Sequence, residues 1–102
     1  MKREEILGFI GLLYSARKIS IGDNVMTLLA KNKISLIILS DESSDNTKKR
    51  ISDKARYYGV ELISEFTKNE LANALGKGNI SFLGIADKKA AEALKNKLKE
   101  ER

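Results

Sequence analysis

Apolar residues follow a helical period at the start of this chain. From Arg3 to about Ala16 they recur at intervals of three and four residues, which predicts an amphipathic helix. A linker from Arg17 to Ser20 leads to a second predicted helix, from about Ile21 to Ala30, whose apolar residues also fall on one face. Ser20 and Asp23 have the spacing of a capping box at its start.

Three later apolar segments predict β-strands. Ser35 to Ser40 is nearly continuous Leu and Ile, which is typical of a central strand covered on both faces. Val60 to Ile63 is shorter and more polar, so we expect it nearer a sheet edge. Ile80 to Ala86 is predicted to be another buried strand.

Three further helices are predicted between and after these strands. Polar residues suited to N-caps precede them, at Ser44 or Asp45, at Thr67 and at Asp87. Glycines suited to left-handed C-terminal positions end two of them, at Gly59 and Gly76. The alternation predicts an α/β fold, a three-layer α/β/α sandwich with a small mixed sheet, in a single domain over residues 1–102.

The composition narrows the class of protein. A hydrophobic fraction of 42% with 32% charged residues is ordinary for a globular protein. The longest apolar run is too short to cross a bilayer, and the chain begins with charges, so we expect a cytoplasmic protein with no membrane partner. A formal net charge of +5 favours polyanionic partners such as nucleic acid.

The sequence gives little support to a catalytic or metal-binding function. Histidine and cysteine are both absent, which removes the commonest general base and the Cys/His zinc sites, so we expect no enzyme activity and no cofactor. Gly76-Lys77-Gly78 lacks the spelling of a phosphate-binding loop and follows a helix instead of preceding one. Asp41, Glu42 and Asp45 could hold a hard cation, but loop solvation and helix capping explain them more simply.

The stretch from Ser20 to Val25 is the best candidate for a binding site. A helix start presents unpaired N–H groups and the positive end of the helix dipole, which suits phosphate. Gly22 allows close approach, and the Asn24 amide can read a base edge, although an ordinary capped helix start explains the same residues. If the fold brings in the Gly76 to Asn79 loop, one electropositive lip would form from Arg17, Lys18, Gly22, Asn24 and Lys77.

A dispersed set of residues resembles a known family. The set comprises Ala16-Arg17-Lys18, Gly22-Asp23-Asn24, Leu36 to Leu39, Asn46-Thr47-Lys48-Lys49, Asp53-Lys54, Tyr57-Tyr58 and Leu75-Gly76-Lys77. From about Ile6 to Leu98 the chain resembles the L-seven-Ae and L-thirty-e ribosomal protein family, in particular its bacterial YlxQ-like branch. The resemblance implies a three-layer sandwich that binds kink-turn or ribosomal RNA, as a monomer that works with the ribosome or translation factors.

The resemblance also implies which residues contact RNA. Gly22 matches the family glycine, Asp23 replaces a Thr, and Asn24 matches the base-reading residue. The second contact loop is matched by Lys77, Gly78, Asn79 and Ile80. We further expect Arg17, Lys18, Lys31 and Lys77 to neutralise phosphates of the bound RNA.

Two residues depart from the family pattern. Val25 stands where the family usually has Glu or Gln, and Leu28 stands where it often has Lys. These departures leave open an alternative, a protein-interaction module of translation or ribosome assembly in which RNA recognition has faded.

Overall fold

A four-stranded mixed sheet lies between two layers of helices in the computed structural model, which describes residues 2–101. The elements in chain order are α1 Lys2–Ser15, β1 Ile19–Ile21, α2 Asp23–Ala30, β2 Leu36–Ser40, α3 Asp45–Tyr58, β3 Glu61–Phe66, α4 Lys68–Leu75, β4 Phe82–Ile85 and α5 Lys88–Glu101.

The strand order is β1-β4-β2-β3. β2 pairs parallel with β3, whereas β4 pairs antiparallel with both β1 and β2, so the predicted mixed sheet is confirmed. β2 and β4 are the two central strands and every residue in them is buried. β3 is an edge strand with exposed positions, as its polar sequence predicted, but it runs on to Phe66 instead of ending at Ile63.

The first strand was not predicted. Ile19–Ile21 pairs with β4, and Ser20 lies opposite Gly84. The prediction of a capping box from Ser20 to Asp23 is therefore wrong: the N-cap of α2 is Gly22, which makes no side-chain cap hydrogen bond, and the helix begins at Asp23. Three residues are too few for an alternating pattern to identify a strand, so only the pairing with β4 defines this one.

The helices divide between the two faces of the sheet. α1 contacts α4 and α5 on one face, over a core that includes Ile10, Phe66 and Leu94. α2 contacts α3 on the other face, over a core that includes Leu29 and Ile51. These two cores confirm the predicted three-layer α/β/α sandwich. None of the helices within residues 2–101 is long and apolar enough to cross a membrane.

The predicted helix ends are largely confirmed. Ser44 caps α3 by accepting a hydrogen bond from the Thr47 N–H, at 3.2 Å. Thr67 forms a complete capping box with Glu70, and the Asp87 carboxylate accepts from two N–H groups at the start of α5. The glycines that end two helices are left-handed, Gly59 after α3 and Gly76 after α4.

Candidate nucleic-acid interface

The two ends of the sheet carry different connections. β1, β2 and β3 finish at one end, where β4 starts, because Ile21 pairs with Leu83 and Leu39 pairs with Phe82. We call this end the cleft end. At the opposite end, which we call the basic end, β1, β2 and β3 start and β4 finishes; Ile85 pairs there with Ile19 and Leu36.

A cleft of about 310 Å³ opens at the cleft end. Ile21 and Gly22 line one side, and residues 77–82 line the other. The start of α2 and the loop before β4 are far apart in sequence, and the sheet brings them together because β1 and β4 are hydrogen-bonded neighbours. The juxtaposition on which the predicted site depended is therefore present.

Gly22 turns the chain from β1 into α2. Its φ of 65° and ψ of −145° lie in a region that only glycine occupies readily. The residue is exposed, and its carbonyl accepts from the Val25 N–H at 3.0 Å. No Cβ covers the backbone here, so a ligand can approach the helix start closely.

Two exposed polar side chains follow in the first turn of α2. Within residues 2–101, neither the Asn24 amide nor the Asp23 carboxylate has a hydrogen-bond or ion-pair partner. The amide keeps its donors and its acceptor for a ligand. The carboxylate only accepts hydrogen bonds when ionised, so it suits a base amino group and not a phosphate.

The facing loop supplies a cation and close backbone. Lys77 and Gly78 are exposed, and in the described part of the chain the Lys77 ammonium has no ion-pair partner. Asn79 is exposed and left-handed, with φ 62°. Ile80 lines the cleft but is only 5% exposed and belongs to the core beside α1, so it holds the loop in place more than it offers a contact surface.

The other three predicted contact residues lie elsewhere. Arg17 and Lys18 precede β1 at the basic end, so Lys18 is about 13 Å along the strand from Gly22. Lys31 is the C-cap of α2, about 12 Å from the start of that helix. The predicted lip is therefore wrong in including Arg17 and Lys18, because the length of β1 separates them from the cleft.

Lys18 also has a partner of its own. Its ammonium forms a salt bridge with Asp87, at the start of α5. This hydrogen bond, with those from the first backbone N–H groups of α5, lowers the pKa of Asp87 below its usual value. Lys18 thus ties the start of β1 to α5.

Val25 and Leu28, the two residues that depart from the pattern the sequence resembles, both pack against the core. Val25 is fully buried and lies above Gly84, where an added Cβ would come within 3.1 Å of Val25 Cγ1. Leu28 is half-buried and packs against the core beneath α2. Both side chains attach α2 to the sheet, and neither adds an apolar patch to the surface.

The acidic loop after β2 is held by hydrogen bonds. Glu42 accepts from the Lys68 N–H at 2.9 Å, and buried Ser43 donates to the Ser81 carbonyl at 3.0 Å. Within residues 2–101 no group of three or more His, Cys, Asp or Glu residues is placed to hold a metal ion. Ser81 was not predicted as a site residue, although it lines the cleft and its carbonyl accepts the hydrogen bond that holds this loop. In the sequence it is distinguished only by its place after the Asn79 turn.

Known proteins similar to this chain carry related names. RNA-binding protein YlxQ of Enterococcus faecium is 31% identical over 94 residues, which cover 91% of this chain and 90% of that protein. RNA-binding protein YlxQ of Bacillus subtilis (strain 168) is 27% identical over 95 residues, which cover 92% of this chain and 95% of that protein. No protein-family model matches the sequence.

Solved structures share the fold. A protein of unknown function from Bacillus halodurans C superimposes with a TM-score of 0.87 at 25% identity, over 92% of this chain and 96% of the other. A 15.5 kD RNA-binding protein of Giardia lamblia gives a TM-score of 0.75 at 16% identity, over 97% of this chain and 86% of its own, which shows a common fold alone. With the sequence identity over nine-tenths of both chains, the protein belongs to the YlxQ family.

Proposed function

We propose that this protein is a non-catalytic RNA-binding protein that recognises structured RNA at the cleft end of its sheet. The observation that carries the proposal is the 31% identity, over nearly the full length, to a protein named as RNA-binding. The cleft supports it, since exposed glycine backbone and the Lys77 ammonium line one opening, and the free Asn24 amide lies two residues beyond Gly22.

Each residue in or beside the cleft has a distinct part in this proposal. The Gly22 backbone lets RNA approach the start of α2. Asn24 reads a base edge, and Asp23 accepts a hydrogen bond from a base amino group. Lys77 neutralises a phosphate from the opposite side of the cleft. Gly78 and Asn79 place exposed backbone close to the ligand on that side.

The finer proposal concerns the kind of RNA. Resemblance to the L-seven-Ae and L-thirty-e family favours a kink-turn or a ribosomal RNA, bound by a monomer that works with the ribosome or translation factors. The absence of histidine and cysteine supports a role in binding and not in catalysis. Val25 does not support the alternative of a protein-interaction module, because its side chain is buried and cannot contact a partner.

The test is a titration of a kink-turn RNA at several salt concentrations. Asn24→Ala should weaken binding about 5- to 150-fold, the equivalent of one lost bidentate base contact. Lys77→Ala should reduce the slope of log affinity against log salt by about 0.7–0.9, which corresponds to one phosphate contact.

The control variant is Asn96→Ala, an exposed asparagine on α5 that should leave affinity unchanged. An unkinked duplex of the same length serves as the control RNA. Equal affinity for both RNAs, together with no response to Asn24→Ala or Lys77→Ala, would contradict the proposed site.

A further inference from the structure

The connections at the two ends of the sheet differ in charge. At the basic end, the connections and the first two residues of α5 hold six basic residues and one acidic residue. They are Arg17, Lys18, Lys31, Lys33, Lys88, Lys89 and Asp87. At the cleft end, the connections and the first two residues of α2, α3 and α4 hold four acidic and two basic residues. Among these residues, the excess of positive charge, which attracts a polyanion, therefore lies at the basic end.

Most of these cations are available to a ligand. Arg17, Lys31, Lys33, Lys88 and Lys89 are exposed, and none has an ion-pair partner within residues 2–101. Asp87, the acidic residue of the basic end, forms a salt bridge with Lys18 and accepts hydrogen bonds from backbone N–H groups at the start of α5. This leaves a surface with an excess of unneutralised charge.

An exposed aromatic residue stands beside this charge. Tyr57, in the last turn of α3, is 79% exposed, so core packing does not account for it. Its ring meets the Tyr58 ring edge-on, with centroids 4.8 Å apart, and most of the side chain is open to solvent. An exposed ring is a platform on which an unpaired base can stack.

A cavity of about 480 Å³ lies beside Tyr58 at this end of the sheet. Its lining includes Asn32, Ser35, Tyr58 and Lys88, together with Glu92, whose charge is paired with that of Lys95. Ile34 and Val60 give it an apolar part, and the Asn32 amide and Ser35 hydroxyl can pair with a base edge. A nucleotide needs this combination of apolar wall, hydrogen-bonding groups and nearby cations.

We propose that the basic end is a second RNA-binding surface, which takes a single-stranded segment. Tyr57 stacks on one base, the cavity beside Tyr58 holds a neighbouring nucleotide, and Lys33 and Lys88 bind the phosphates. The proposal extends the proposed RNA-binding function to a different surface. The protein would thereby hold a folded RNA element at one end of its sheet and an unpaired strand at the other.

The test uses octauridylate, which is unstructured and offers no kink-turn to the cleft. Tyr57→Ala should weaken its binding about 5- to 150-fold, and Tyr57→Phe should restore it, because stacking needs the ring and not the hydroxyl. Leu12→Ala is the matched control, since Leu12 is the other large exposed apolar side chain of the described residues, at 68%. It should leave the affinity unchanged.

A pair of double variants separates location from total charge. Lys33→Gln with Lys88→Gln and Lys97→Gln with Lys99→Gln each remove two positive charges, the second pair from the exposed second half of α5, away from both Tyr57 and the basic end. Only the first pair should lower the salt slope of octauridylate binding, by about 1.4, the value for two contacts to a single strand. Thermal unfolding should show that all variants remain folded.

The two proposals fail in different ways. Equal responses to Tyr57→Ala and Leu12→Ala, equal salt slopes for the two double variants, or no octauridylate binding by the wild type would each overturn the second surface. Asn24→Ala should not change octauridylate binding, and loss of binding in that variant would also overturn it. Failure of the cleft would instead appear in the kink-turn titration.

Discussion

Gly22 holds the turn between β1 and α2 in a backbone conformation that glycine alone adopts readily, with φ 65°. Gly22→Ala should lower the free energy of unfolding by about 1–3 kcal/mol, because alanine is strained at this φ. The added Cβ would have no atom within 4 Å, so a steric clash does not contribute. Gly78→Ala, on the opposite wall of the cleft, meets no atom either and has no positive φ, so it should change stability by less than about 0.5 kcal/mol. Urea unfolding measures both, and equal effects would contradict this account of the turn.

Arg3 and Glu70 join α1 to the start of α4. Arg3 Nε lies 2.7 Å from Glu70 Oε2, and Arg3 Nη2 lies 2.9 Å from Oε1. This hydrogen bonding lowers the pKa of Glu70 from its ordinary 4.5 to about 2. Since the folded-state pKa is the lower one, the stabilisation is complete above about pH 4.5 and is lost as the pH falls towards 2.

Glu70→Gln should therefore cost about 1–2 kcal/mol of stability at pH 7, with partial exposure reducing the effect. Glutamine retains the capping box with Thr67, so the loss reports the charge on Glu70. The difference between variant and wild type should shrink as the pH is lowered from 4.5 to 2, measured by urea unfolding. Glu61→Gln, which breaks a more exposed pair with Lys95, should cost no more than about 1 kcal/mol. A difference between Glu70→Gln and wild type that stays constant down to pH 2 would contradict this account.

Among the elements, α1 and α4 approach closely through a glycine. A Cβ added at Gly11 would come within 2.7 Å of the Ala74 carbonyl oxygen, whereas at Gly8 it would meet nothing within 4 Å. Gly11→Ala should therefore destabilise the protein by about 1–3 kcal/mol, because backbone must move. Gly8→Ala should stabilise it by about 0.5–1 kcal/mol through helix propensity. Thermal unfolding of the two variants decides this, and the same sign of change for both would contradict it.

Element identity followed from local pattern wherever the pattern was long enough. Continuous Leu and Ile predicted the buried strand β2, and capping residues such as Thr67 predicted where helices start. β1 could not be found in this way, because it has three residues and is defined by pairing Ile19 with Ile85, near the other end of the chain. Because β1 was not predicted, the start of α2 was placed at about Ile21 instead of Asp23.

At the scale of the whole molecule, the same strand decides where the candidate residues lie. The chemistry of Gly22, Asn24 and Lys77 could be inferred from a helix start and a glycine-rich loop, and the structure places them around or beside one cleft. The positions of Arg17 and Lys31 could not, because they depend on the lengths of β1 and α2. The cleft and the six basic residues of the basic end therefore lie at opposite ends of the sheet.

A two-dimensional NMR titration of the labelled protein with a kink-turn RNA that has no single-stranded extension locates the RNA-binding surface residue by residue. We expect the largest amide shifts at Gly22, Asn24 and residues 77–79, with smaller changes at the basic end. Tight binding that leaves those amides unshifted would show that the RNA does not bind at the cleft.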